Sequence, residues 1–359
     1  MFGPSHYVPV IKWKRGEQSA LKDLSPLVRS RLTPLIELVP IPIDLDTGEQ
    51  SKTLDEHASP AVDRLLEVWG TDDPFFLDCG DIVDDSTETG ISGPEYVFDA
   101  CEDRQLKFIP TIALTSPATE VNTALSHSER GICLRLDSSD LEDENLTTSI
   151  ESFVIDNELS HDHVDVIIDL GSMEDQRPFA LFVLVREFMA LIPCLTEWRT
   201  LTLTASAFPR DMRVVPPKGT LRIPRVEWLA WKQLYRSRVR LERLPSFGDY
   251  GIQHPAGVED FDPRYMTPSA TIRYTQGDEW VLIKGRSIKQ HGGGQFRDLA
   301  TKLVSSGDYW GQKHCSGCQL IHECHTGTRA AGTLEIWRRI GTNHHLTLVT
   351  QQLAELPFD

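Results

Sequence analysis

Short apolar runs, each closing on a polar or charged residue, recur through the first 250 residues of the chain. They cover residues 7–12, 34–37, 75–78, 108–111, 132–135, 164–169, 201–204 and 244–249. Their final residues are Lys12, Glu37, Asp78, Thr111, Arg135, Asp169, Thr204 and Asp249. The stretches between them have helical spacing. Leu21, Leu24, Leu27 and Val28 make one apolar stripe in a helix expected over 17–31. Ser116 followed by Pro117 and Glu120 reads as a helix start, and Trp228, Trp231 and Tyr235 mark a helix over 226–238 packed on the strands. The run at 164–169 is apolar on both faces, as suits a parallel strand covered by helices. A strand–helix unit repeated eight times predicts an α/β protein, a parallel (β/α)8 TIM-like barrel whose strand ends floor a site.

The rhythm stops near residue 256. Two β-rich runs, 270–275 and 279–284, flank Gln276-Gly277-Asp278 and predict a hairpin. A helix is expected over 295–306, then a His/Cys-rich loop, then a last helix over 333–340 that resumes near Leu346. The division is a barrel at 1–255 and a C-terminal α+β appendage at 256–359, packed on the barrel.

Composition narrows the function classes. With 25% charged residues and a net charge of −17, no surface for non-specific duplex DNA binding is expected. Acidic stretches at 81–88 and 137–144 read as outer surface. No run of 18 apolar residues predicts a membrane span, and the N-terminal residues lack signal-peptide character. Seven cysteines is an odd number, and Cys79, Cys101, Cys133 and Cys194 read as small core residues in a reducing, cytoplasmic setting.

Four constellations could carry chemistry. The strand-terminal Lys12, Glu37, Asp78, Arg135, Asp169 and Asp249 converge if the strand register is right. Their carboxylates suit a divalent metal at the rim, and Lys12, Lys14 and Arg135 suit a phosphate-containing ligand. In the loop 247–255, Asp249 could orient His254 as a general base, with Tyr250 facing a ligand; a plain turn explains the same residues. In the segment 337–347, Gly341 and Asn343 predict a helix break that aims Asn343 and His344 at the barrel, with Arg338 beside them. Cys315, Cys318 and Cys324 with His325 have the ligand types of a structural zinc site. Walker, Rossmann and nucleophile-elbow motifs are absent from the sequence.

The runs at 7–14 and 34–37, the loop from Phe247, and Trp337-Arg-Arg-Ile-Gly-Thr-Asn-His-His-Leu-Thr347 together resemble the bacterial and phage "beta protein" family over nearly the whole chain. That resemblance implies an accessory protein of mobile elements or phage-defence loci. Two functions stay open. One is a recognition module that binds a partner protein of the same locus, or a phage component, through the barrel mouth. The other is a metal-dependent phosphate-ester or nucleotide hydrolase using Lys12, Glu37, Asp78, Asp169, Asp249 and His254.

Overall fold

In a computed structural model, which describes residues 2–256 and 268–358, eight parallel strands close into a barrel. They are β1 (Tyr7–Lys12), β2 (Leu35–Glu37), β3 (Phe75–Asp78), β4 (Phe108–Ala113), β5 (Ile132–Leu136), β6 (Val164–Ser172), β7 (Thr200–Ser206) and β9 (Ser246–Asp249). An extra strand, β8 (Thr220–Pro224), lies between the last two in sequence. Every apolar run of the sequence became a barrel strand. β1 pairs with both β2 and β9, so no edge is left open. Gly248 sits where a Cβ would meet Thr204 Oγ1 at 2.3 Å and the Val8 carbonyl at 2.7 Å. Only glycine lets β9 pass that closely beside its neighbours.

The register explains the rim. Lys12 aligns with Glu37, Glu37 with Asp78, and Asp78 with Thr111. Strand-terminal charges therefore lie side by side at the carboxyl end of the barrel. Below them the core is apolar, and Trp228 and Trp231 stack at 5.5 Å and press edge-on against Phe247, as the sequence predicts.

The hairpin forms as β10 (Ser269–Gln276) and β11 (Glu279–Ser287), and β8 completes a three-stranded antiparallel sheet on β11. Sequence reading overlooked β8, although Leu221 and Ile223 alternate with Thr220, Arg222 and Pro224. A second core holds Ile272, Tyr274, Phe296, Cys318, Trp337 and Ile340. Among the described residues, no helix is long and apolar enough to cross a membrane.

Several local expectations need correction. The helix expected over 17–31 is two, Arg15–Lys22 and Pro26–Arg29, because Ser25 caps a new start with Pro26 in its first turn. Ser116 does not cap the next helix; its hydroxyl donates to Glu120 at 3.0 Å. Cys194 is exposed with φ of 48° in the turn after the helix Pro178–Leu191, while Cys79, Cys101 and Cys133 are buried. The His/Cys-rich loop is mostly a helix, Ser316–Thr326, with Cys315 as its N-cap. The break expected at Gly341 is absent, since Leu334–Ala354 is one continuous helix. Gly341 serves close packing instead: a Cβ there would lie 2.6 Å from Ile252 Cδ1 and 2.7 Å from the Arg273 carbonyl.

Candidate active site at the barrel mouth

Arg135, from the end of β5, is the centre of the rim. Its Nη1 donates to Asp78 at 2.6 Å, and its Nη2 to Glu37 at 2.7 Å and to the Tyr250 hydroxyl at 2.8 Å. Nε and Nη2 both donate to Asp169 Oδ2, at 2.8 and 2.6 Å. The Tyr250 hydroxyl in turn donates to Asp169 Oδ2 at 2.5 Å. Lys12 stands 3.3 Å from the other Glu37 oxygen. Burial works against the Arg135 charge, but the surrounding partners overcome it and hold the guanidinium protonated. Burial likewise raises the Tyr250 hydroxyl, so it stays a donor.

Asp78, Arg135, Asp169 and Tyr250 of this cluster form one wall of a cavity of about 440 Å³, lined also by Phe98, Ile112, Asp137 and Ser138. Three rim carboxylates face two cations, and Asp137 and Glu120 add to the acidic side. The mouth therefore favours a cationic or donor-rich group with an apolar portion. The three carboxylates converge on the guanidinium, which fills the space that a divalent ion would need.

The other predicted residues divide between places. Asp249 faces away from this cavity and is fully buried. It accepts from the Tyr7 hydroxyl, from Gly251 N–H at 2.9 Å and from His345 Nε2 at 2.9 Å, and Arg225 lies 3.7 Å away. Burial alone would raise its carboxyl; His345, Arg225 and Tyr7 hold it below the usual range. Burial also lowers His345 despite the carboxylate. The neutral ring thus donates from Nε2 to Asp249 and accepts at Nδ1 from the Thr275 hydroxyl at 2.7 Å. Asp249 does not orient His254, contrary to the sequence expectation. His254 bonds Ser172 at the end of β6, at 2.8 Å, because the turn after Tyr250 carries it past the buried carboxylate.

Lys14 caps the helix Arg15–Lys22 just after β1, near Glu17. Arg338 also serves Glu17, 3.5 Å away, and the Ile252 carbonyl. Asn343 accepts from Gly317 N–H at 2.8 Å and donates to the Ala20 carbonyl at 3.1 Å, tying three helices together. Arg338, Asn343 and His344 therefore anchor the C-terminal helix and do not line the mouth.

The proposed zinc set is also rearranged. Cys315 and Cys318 lie beside His344, whose Nδ1 is 3.9 and 3.3 Å from their sulfurs. The Cys318 side chain, then His344, draws the Cys315 thiol down to about 4 against burial. Cys324 and His325 are elsewhere: the Cys324 carbonyl accepts from Arg297, and His325 bonds Thr301 at 2.9 Å. The helical conformation of 316–326 turns them from the Cys315 end. His314 takes their place, with a ring nitrogen within 4.8 Å of the Cys315 and His344 ligand atoms.

Arg225, Glu227 and the role of Tyr7 were missed by sequence reading, because strand, sheet and helix contacts bring them together. His314 and His345 stood beside residues that the sequence singled out, but His325 was assigned to the metal set, and it is His314 that lies near Cys315 and His344.

A search of curated proteins gives no match. The family comparison does: the chain belongs to the Beta protein family, which it matches over residues 7–351, from β1 into the last turns of the C-terminal helix.

Proposed function

We propose that this chain is a cytoplasmic recognition component of an anti-phage defence or mobile-element locus. Its barrel mouth receives a basic segment of a partner protein, from the same locus or from a phage. The observation that carries this reading is the closed set of partners around Arg135 beside an acidic, partly apolar cavity. A guanidinium already bonded to three carboxylates and a phenol has few donors left for a phosphate. It also ties up carboxylate lone pairs that an acid–base reaction would need free. Such a rigid rim is suited to holding a shape and a charge.

Filling the cavity tests the reading. Ser138→Trp and Ala113→Arg are expected to restore phage plating on cells carrying the locus while the melting temperature stays near wild type. Undiminished protection by both variants, folded and expressed normally, would sink it. A metal-dependent phosphate-ester hydrolase is the second reading, supported by the convergence of Glu37, Asp78 and Asp169. It requires a divalent ion to displace Arg135. Calorimetric Mg2+ or Mn2+ binding that Asp78→Ala abolishes, with phosphodiester cleavage, would put it first.

A further inference from the structure

We propose that His314, Cys315, Cys318 and His344 form a four-ligand structural zinc site that clamps the start of the helix Ser316–Thr326 onto the middle of the helix Leu334–Ala354. The site is independent of the barrel mouth. Its ligands come from three places: the turn before the first helix, that helix's N-cap and first turn, and a fully buried position of the second helix.

The orientation of His344 is the first support. Its Nε2 lies 2.8 Å from the Thr275 carbonyl oxygen, which can only accept. The proton is therefore on Nε2, and the Nδ1 lone pair is left pointing at the two sulfurs. A backbone carbonyl on the far nitrogen is how metal-binding imidazoles are commonly fixed. The Tyr274 ring stacks on His344 at 3.9 Å and 8°, holding the plane of the ring.

The spacing is the second support. Zinc bonds of about 2.3 Å to sulfur and about 2.0 Å to nitrogen imply nitrogen–sulfur edges of roughly 3.5 Å in a tetrahedron. The two observed edges, 3.3 and 3.9 Å, bracket that length. His314 supplies the fourth corner. Among the described residues its Nε2 is buried without a hydrogen-bond partner, and its ring centre is 5.3 Å from that of His344. A buried imidazole nitrogen left without a partner is costly unless something binds it. Within 4.8 Å of a His314 ring nitrogen lie the Cys315 sulfur and a His344 ring nitrogen, and the Cys318 sulfur joins them from the other side of His344, 3.3 Å from its Nδ1.

The donor set also identifies the ion. Two sulfurs and two imidazoles suit zinc over magnesium or calcium, which take oxygen ligands. Cys318 and His344 are fully buried, so with four protein ligands no position stays open to a substrate. The role is to fasten. The clamp holds the helix whose next residue, His345, reaches Asp249 of β9.

Elemental analysis of the full-length protein, purified without chelators from zinc-supplemented cells, is expected to give about one zinc per chain. Cobalt substitution should give the thiolate-to-cobalt charge-transfer band and the visible bands of a tetrahedral site. Cys315→Ser should abolish that charge-transfer intensity in part and lower zinc occupancy. His314→Ala, at the least buried ligand, should still fold and lose zinc to a chelator at least about tenfold faster. Cys324→Ser and His325→Ala should keep full zinc. The assignment is overturned by a metal-free protein that is folded, by a Cys315–Cys318 disulfide in non-reducing mass spectrometry, or by zinc loss confined to the Cys324 and His325 variants.

Discussion

Asp249 and Tyr250 are consecutive residues that serve two unlike charge clusters. Tyr250 joins Arg135, Glu37, Asp78 and Asp169 at the rim, beside an open cavity. Asp249 joins Tyr7, Arg225, Glu227 and His345 in a pocket sealed by the C-terminal helix. At the rim, the guanidinium donors are matched by acceptors and Asp78 and Asp169 line the cavity, although among the described residues Glu37 Oε2 is buried without a hydrogen bond. In the sealed cluster the match is poorer. Among the described residues, Arg225 Nε and Nη2 and Glu227 Oε1 find no hydrogen-bond partner, although Arg225 is held by the Gly277 carbonyl at 3.0 Å, by Gln352 at 2.8 Å and by the Trp228 ring. A charge buried without water is strongly destabilising once its partner is lost. The same residue types therefore give a well-matched, cavity-lining cluster in one place and a brittle joint between barrel and appendage in the other.

The sharpest way to break this contrast is to remove one carboxylate charge from each side. Asp249→Asn is expected to cost about 3–5 kcal/mol in urea unfolding, since Arg225 is left without its nearest charge. Asp78→Asn should cost only about 1–2 kcal/mol, because Arg135 keeps Glu37 and Asp169. Equal costs would show that the two clusters do not differ in the way described.

A second test uses pH. Burial raises the Glu227 carboxyl to about 8, with Arg225 opposing and Asp249 reinforcing the shift. The folded protein thus holds a proton that the unfolded chain releases at the ordinary carboxylate value. The stabilisation from this proton is complete below about pH 4.5 and is lost as pH rises through about 8. Glu227→Gln has no such proton. Relative to wild type, it should gain roughly 1–4 kcal/mol between about pH 5 and about pH 8. A difference that stays constant across that range in chemical denaturation would contradict a protonated Glu227.

The smallest effect compares two hydroxyl deletions. Tyr7→Phe leaves Asp249 short of a donor where water cannot enter, and about 2 kcal/mol is expected. Tyr250→Phe removes a bond to Asp169, which still accepts from Arg135 at 2.6 Å and from Gly171 N–H at 2.9 Å, and about 1 kcal/mol is expected. Thermal melts of the pair would sharpen the comparison, and a reversed order would undo it.

How much of the site was readable in advance depended on whether its residues belong to the strand rhythm. Glu37, Asp78, Arg135 and Asp169 were readable because a parallel barrel puts strand ends in one ring. Tyr250 followed from its place after the last strand. Asp249 was placed at the rim by the same rule and went astray, because β9 is short and its last side chain turns outward to Tyr7 and the C-terminal helix. Cys315 and Cys318 were found by ligand type. Pairing them with Cys324 and His325 assumed a loop in which near neighbours in sequence can converge, and a helix forbids that.

The sequence by itself determined the barrel and the ring of charges at its mouth. Both follow from local periodicity, since a run of apolar residues ended by a polar one needs only its immediate neighbours to define a strand and its end. Only the tertiary structure decided that Arg135 would fill the space among three carboxylates, that Gly341 would continue a helix, and that His314 and His344 would meet Cys315 and Cys318. Those outcomes rest on contacts between residues far apart in the chain, where the close approach of two elements chooses each side chain's partner. No local pattern carries that information.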